Sequence, residues 1–100
     1  MRHLYLVTYD VCDAKRLRKT FKTMKNFGTA LQYSVFRCDL DRMERIGLIE
    51  ALHRVLDLTE DRVMLADLGP ADGRAVERVE WIGQAPAEPQ GEEGAAAQIV

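Results

Sequence analysis

The sequence predicts an α+β fold in which one antiparallel sheet carries two helices on a single face. Three observations predict it. A continuous apolar run, Leu4-Tyr5-Leu6-Val7-Thr8-Tyr9, is too short for a helix, suits a strand buried on both faces, and ends in a carboxylate, Asp10. Two segments opened by Asp13 and Asp41 repeat their apolar residues at helical spacing. Residues 29–40 are rich in β-branched and aromatic side chains, and residues 62–68 form a second short apolar run.

The elements follow in order. Asp13 is placed to cap the first helix, whose buried stripe is Leu17, Phe21 and Met24 at i, i+4 and i+7, with Gly28 as its C-terminal stop. Residues 29–40 exceed the usual strand length, so they read as two short strands meeting around Tyr33-Ser34, or as one strongly bent strand. Asp41 opens the second helix, with Glu44 completing a capping box, and Met43, Ile46, Ile49, Leu52 and Leu56 supply an apolar stripe running through Leu58. Thr59-Glu60-Asp61 turns the chain into the strand at 62–68, and Gly69 to Gly73 is a loop by composition. Residues 76–82 form a short final strand with Val79 and Trp81 on one face, or the remains of a third helix. From Gly83 onward the chain is rich in Ala, Pro, Gly and Glu, so the domain is placed at 1–82 and a flexible tail at 83–100.

The order β, α, β, β, α, β with an extra short C-terminal strand is that of a ferredoxin-like sandwich. Helices on one face leave the other bare, and a domain this small has little core. Covering the bare face with a second copy enlarges that core, so a homodimer is expected.

Composition excludes some classes and favours others. No apolar run approaches the roughly 20 residues of a membrane span, and Met1 leads into the strand without a secretory signal pattern, so a cytoplasmic protein is expected. Cys12 and Cys38 match no metal-ligand spacing and are expected to be reduced thiols. The net charge of -2 conceals an asymmetry: residues 1–38 hold eight Lys or Arg against two acids, and 39–100 hold six against fourteen. Lys15, Arg16, Arg18, Lys19, Lys22 and Lys25 fall within eleven residues that contain no Asp or Glu. A solvated helix face gains nothing from such mutual repulsion, whereas a polyanion explains it.

Catalytic patterns are sparse. No G-x-S-x-G elbow, Walker-type loop, H-E-x-x-H or C-x-x-C is present, and His3 and His53 lie near no motif nucleophile. Asp10 is the candidate metal ligand: Mg²⁺ commonly takes one or two protein carboxylates and keeps several waters, so Asp10 from two protomers could share one ion. Its plain structural role would be to cap a turn or the first helix. Ser34 could bind a phosphate or start a turn. The Tyr and Phe residues are spaced like core residues, so recognition by base stacking is weakly supported, and a cationic helix should read phosphates in a sequence-tolerant, salt-sensitive way.

Tyr9-Asp10-Val11 at the strand end, the basic pattern from Lys15 to Lys19, Gly28, and above all Gln32-Tyr33-Ser34-Val35-Phe36 resemble the small CRISPR-associated Cas-two family over residues 1–82. The resemblance implies a ferredoxin-like homodimer whose last strand crosses to the partner's sheet. It implies a role in CRISPR adaptation, in which the dimer sits between integrase subunits and supports the duplex DNA captured as a spacer. It also implies, for some members, Mg²⁺-dependent endonuclease activity on single-stranded RNA or double-stranded DNA, with catalysis and metal binding at the position matched by Asp10. Arg16 and Arg18 match phosphate-contacting positions, and Ser34 and Phe36 belong to the second signature. Ala30 departs from the pattern where nuclease members often carry a basic residue, which favours duplex binding over catalysis.

Two functional readings result. One is an adaptation protein that binds duplex DNA through Lys15, Arg16, Arg18, Lys19 and Lys22, with Ser34 and Phe36 as further contacts, and that bridges integrase subunits. The other is a metal-dependent endonuclease centred on Asp10. A toxin-type or small-ligand module sharing only the fold would leave the basic helix unexplained.

Overall fold

Along the first strand, β1 (His3–Asp10), side chains alternate between two environments. Tyr5, Val7 and Tyr9 are buried toward the helices, whereas Leu6, Thr8 and the exposed Asp10 point the other way, as the period of two of an extended chain requires. β1 is central. β3 (Val35–Leu40) and β4 (Arg62–Pro70) flank it, and β2 (Thr29–Gln32) lies outside β3, giving the antiparallel order β2-β3-β1-β4. With α1 (Ala14–Met24) after β1 and α2 (Arg42–Val55) after β3, the chain builds the expected split β-α-β sandwich. This computed structural model describes residues 1–86 together with residues 91, 92, 94 and 95, where β5 (Gly91–Glu92) pairs with β6 (Gly94–Ala95). Most of the tail expected from Gly83 onward lies outside the described residues.

Register fixes the core. Val7 opposes Phe36 on β3 and Leu65 on β4, while Tyr5 opposes Cys38 and Tyr9 opposes Val63. These residues meet Met24 of α1 and Leu48 and Leu52 of α2. Phe36 lies edge-on to Phe21 at 5.5 Å between ring centroids and stacks with Tyr9 at 6.3 Å. Burial pushes the Cys38 thiol up to about 11, so it packs as a neutral group.

Both helix starts are specified locally. The Asp13 side chain accepts the Arg16 amide at 2.9 Å, and Asp41 and Glu44 form the reciprocal capping box at 2.7 and 2.9 Å. The buried stripe of α2 is shifted from the expected phase. Leu48 and Leu52 face the sheet, whereas Met43 is 71% exposed and Ile46 is also exposed. Apolar residues ring much of this helix, so spacing alone allows two phases; Met43 and Ile46 lie about 140–160° round the axis from Leu48.

Two other expectations change. α1 ends at Met24 with Lys25 still helical, so Gly28 is no left-handed terminator. A Cβ at Gly28 would meet the Arg37 carbonyl oxygen and the Cys38 Sγ, so glycine lets the start of β2 lie close against β3. Residues 76–82 form no strand within this chain. Ala75–Arg78 is a 3₁₀ turn, and Val79 follows in an extended conformation with no ladder partner among the described residues. Val76, Val79 and Trp81 line a cleft with Leu4, Leu31 and Leu68 on the sheet face opposite the helices. A strand needs an unoccupied edge to pair with, and this segment lies over a face instead.

Gly28→Ala is expected to destabilise the domain by about 1–3 kcal/mol, the usual penalty for overpacking, read as a lowered denaturant midpoint with unchanged slope.

Candidate nucleic-acid interface

α1 presents two opposed stripes. Leu17, Thr20, Phe21 and Met24 recur at i, i+3, i+4 and i+7 and pack inward. Lys15, Arg18, Lys19 and Lys22 recur with the same spacing, and at about 100° per residue their stripe lies nearly opposite. All four are exposed and make no hydrogen bond or ion pair among the described residues. Cations in the first turn oppose the helix macrodipole, so local stability does not account for them. Lys25, just beyond, lies 5.6 Å from the centroid of the Phe21 ring.

Arg16 is placed differently from its neighbours. It sits on the boundary between the stripes, about 90° from the apolar one, and its guanidinium reaches the loop between α2 and β4. Nε donates to Asp61 Oδ2 at 2.8 Å and Nη2 to Asp61 Oδ1 at 3.2 Å, with Glu60 Oε1 a further acceptor at 3.1 Å. Asp61 also accepts the Cys12 amide at 3.0 Å and the Asp57 amide at 2.9 Å. Its side chain is wholly buried. The Arg16 hydrogen bonds hold the Asp61 carboxyl well below the usual carboxylate range, outweighing burial, with the two amides assisting. Arg16 is correspondingly held protonated by the same bonds. Arg16 therefore has a structural role beside the expected phosphate contact, with Nε and Nη2 engaged by the acidic loop.

At the end of β1, Asp10 is exposed on the face away from the helices and accepts no hydrogen bond among the described residues. Asp13, not Asp10, caps α1. The Tyr33-Ser34 turn lies alongside: the Tyr9 amide donates to the Ser34 carbonyl at 3.2 Å, and the Tyr9 hydroxyl donates to the Tyr33 carbonyl at 3.0 Å. Burial, with Tyr33 adding to it, pushes the Tyr9 hydroxyl up to about 12, so it remains a donor. Ser34 thus comes near the end of β1, half-buried. Phe36 does not join it: fully buried between β1 and α1, it reaches no nucleic acid, and its place in the signature reflects packing.

Among the described residues no group of three or more His, Cys, Asp or Glu is arranged to hold a metal ion. Asp10 fits as one carboxylate ligand of a largely hydrated Mg²⁺. Two residues at this end escaped the sequence reading. Asp61 looked like part of a turn, and its partner lies 45 positions away, beyond any local pattern. Arg62 opposes Asp10 across β1 and β4, a placement that antiparallel pairing of the two strand ends would have suggested.

Arg16→Ala is expected to lower the melting temperature several-fold more than Lys19→Ala. The pH profile supplies a second check. With Asp61 depressed in the folded state, its contribution is present above the unfolded carboxylate pKa of about 4 and fades as pH falls below it. Asp61→Asn should therefore flatten the acid limb of stability against pH.

The model of the family described as CRISPR associated protein Cas2 matches residues 1–74. A Geobacter sulfurreducens protein named CRISPR-associated endoribonuclease Cas2 is 47% identical over 72 residues, covering 72% of this chain and 76% of that protein. A Rhodospirillum rubrum protein of the same description is 47% identical over 70 residues, covering 70% and 69%. The crystal structure of Streptococcus pyogenes Cas2 superposes with a TM-score of 0.70 at 32% identity, covering 80% of this chain and 99% of that one. With its sheet order, its strand-end aspartate and these likenesses together, the chain belongs to the Cas2 family of CRISPR-associated proteins.

Proposed function

We propose that this chain acts in CRISPR adaptation as a homodimer that binds duplex DNA and bridges integrase subunits. The observation that carries this reading is the cationic stripe of Lys15, Arg18, Lys19 and Lys22, unpartnered among the described residues and directed away from the sheet. Phosphate recognition by such a stripe depends on charge and spacing, not on base identity. Pairing of two copies is supported by the part of the sheet face that residues 76–82 leave uncovered. Met64 is 60% exposed there, Leu6 and Thr8 are half-buried, and the extended Val79 has found no edge within its own chain. Two copies would present two such stripes, doubling the phosphate contacts of one.

A second reading, compatible with the first, is a metal-dependent endonuclease acting on single-stranded RNA or on DNA. The exposed, unpaired Asp10 favours it, as do the names of the relatives. When bound, Mg²⁺ supplies an activated water and neutralises charge at the phosphate. Asp10 would hold and orient that ion, its carboxylate unencumbered by donors among the described residues. Ser34, in the turn tied to Tyr9, would lie close enough to the strand end to meet the substrate backbone.

The two readings separate by mutation. Arg18→Ala with Lys22→Ala should reduce duplex affinity and flatten the plot of log affinity against log salt by about 0.9 per lost contact. An unchanged slope would remove the first reading. Asp10→Ala should abolish Mg²⁺-dependent cleavage while leaving duplex affinity intact; equal loss of both would remove the second.

A further inference from the structure

Asp10 and Arg62 form a register pair at the ends of β1 and β4, and both are exposed. Directly opposed residues of an antiparallel pair project from the same face, with Cβ atoms about 4.5–5.5 Å apart. A carboxylate and a guanidinium so placed would ordinarily bond to each other. Here neither makes a hydrogen bond or ion pair among the described residues. The face is also the one that carries Asp10 away from the helices, so neither group is screened by α1 or α2.

We infer that Arg62 is a phosphate-binding residue of the Asp10 site, placing one backbone phosphate of a single-stranded nucleic acid beside that carboxylate. The inference rests on the nuclease reading for its consequence, since it names the group that would position the phosphate to be cut. A guanidinium offers a planar fork of donors that matches two phosphate oxygens, and it stays charged at any relevant pH. Carboxylate and guanidinium side by side would serve one phosphate in different ways: Asp10 would hold the cation that neutralises its charge, and Arg62 would donate to its oxygens. Alone, Asp10 would repel the substrate. Arg62 offsets that repulsion without a salt bridge that would occupy either group. The site also gains a direction, because the phosphate is drawn toward the β4 side of Asp10, with the Tyr33-Ser34 turn on the β3 side.

The test compares Asp10→Ala with Asp10→Ala/Arg62→Ala, both unable to cleave, binding a short single-stranded RNA in chelator across a salt series. The double variant should show a salt slope shallower by about 0.7, so that the affinity lost between 50 and 200 mM salt shrinks by roughly 2.5-fold. Asp10→Ala/Arg62→Lys should keep the slope, since the charge is kept. An identical slope in the double variant overturns the inference. So does a slope that is unchanged while sedimentation shows a weakened dimer, which would make Arg62 an interface residue. In the Mg²⁺ cleavage assay, Arg62→Ala alone should cut more slowly than the wild type. A wild type that does not cleave at all defeats the nuclease reading, yet the binding slope still decides whether Arg62 contacts phosphate.

Discussion

A buried carboxylate must be compensated, and the way Asp61 is compensated organises one end of this molecule. Removed from water, it accepts two bonds from the Arg16 guanidinium and one each from the amides of Cys12 and Asp57. Those partners belong to the β1–α1 loop, the first turn of α1 and the segment leaving α2. One side chain therefore ties the stretch from Cys12 to Arg16 to the segment leaving α2, with Arg16 and Asp61 45 positions apart. Asp10 lies just before that stretch and Arg62 just after Asp61 itself. The geometry of the strand ends is thus tied to the Arg16–Asp61 ion pair.

The same interaction changes the meaning of the basic helix. A run of cations with no acids reads in sequence as one electrostatic unit, but folding divides it. Arg16 is neutralised by Asp61 and Glu60, which relieves part of the repulsion in the first turn of α1. Lys15, Arg18, Lys19 and Lys22 are left to solvent on the opposite side from Leu17, Phe21 and Met24. The protein thereby holds a strongly cationic surface on a helix that remains anchored, despite charges unfavourable to its N-terminus. Guanidinium, not ammonium, suits the anchoring position because its fork can serve both carboxylate oxygens at once.

Much of this architecture was legible in the residues. Asp13 and Asp41 announced both helix starts, the β1 run announced a central strand, though one buried fully only on its helix-facing side and not on both, and the break at Tyr33-Ser34 lies between β2 and β3 as read. What was not legible depended on distant partners. α2 carries enough apolar residues for two phases, and only the sheet beneath it selects Leu48 and Leu52 over Met43 and Ile46. Phe36 was expected to bind because it belongs to the signature that carries the family resemblance; strand alternation and the packing of Tyr9, Phe21 and Phe36 turn it inward. Residues 76–82 carry apolar side chains suited to a strand, yet they lie over the sheet face and pair with neither of its edges, β2 and β4, among the described residues.

The placement of the two candidate surfaces constrains how they can act. The cationic stripe lies on the outside of the helical layer, whereas Asp10 lies on the sheet face that layer leaves bare. One protomer therefore cannot lay a single stiff duplex across both, because the sheet and its helices stand between them. A duplex held on the stripes of two copies would run past the outer helices, leaving the Asp10 ends facing the region where the sheets approach. A flexible single strand is not so restricted, since it can enter a cleft that a duplex cannot. The proposed duplex surface and the proposed cleavage site are on this geometry physically separate, so a measurement of one would carry no information about the other.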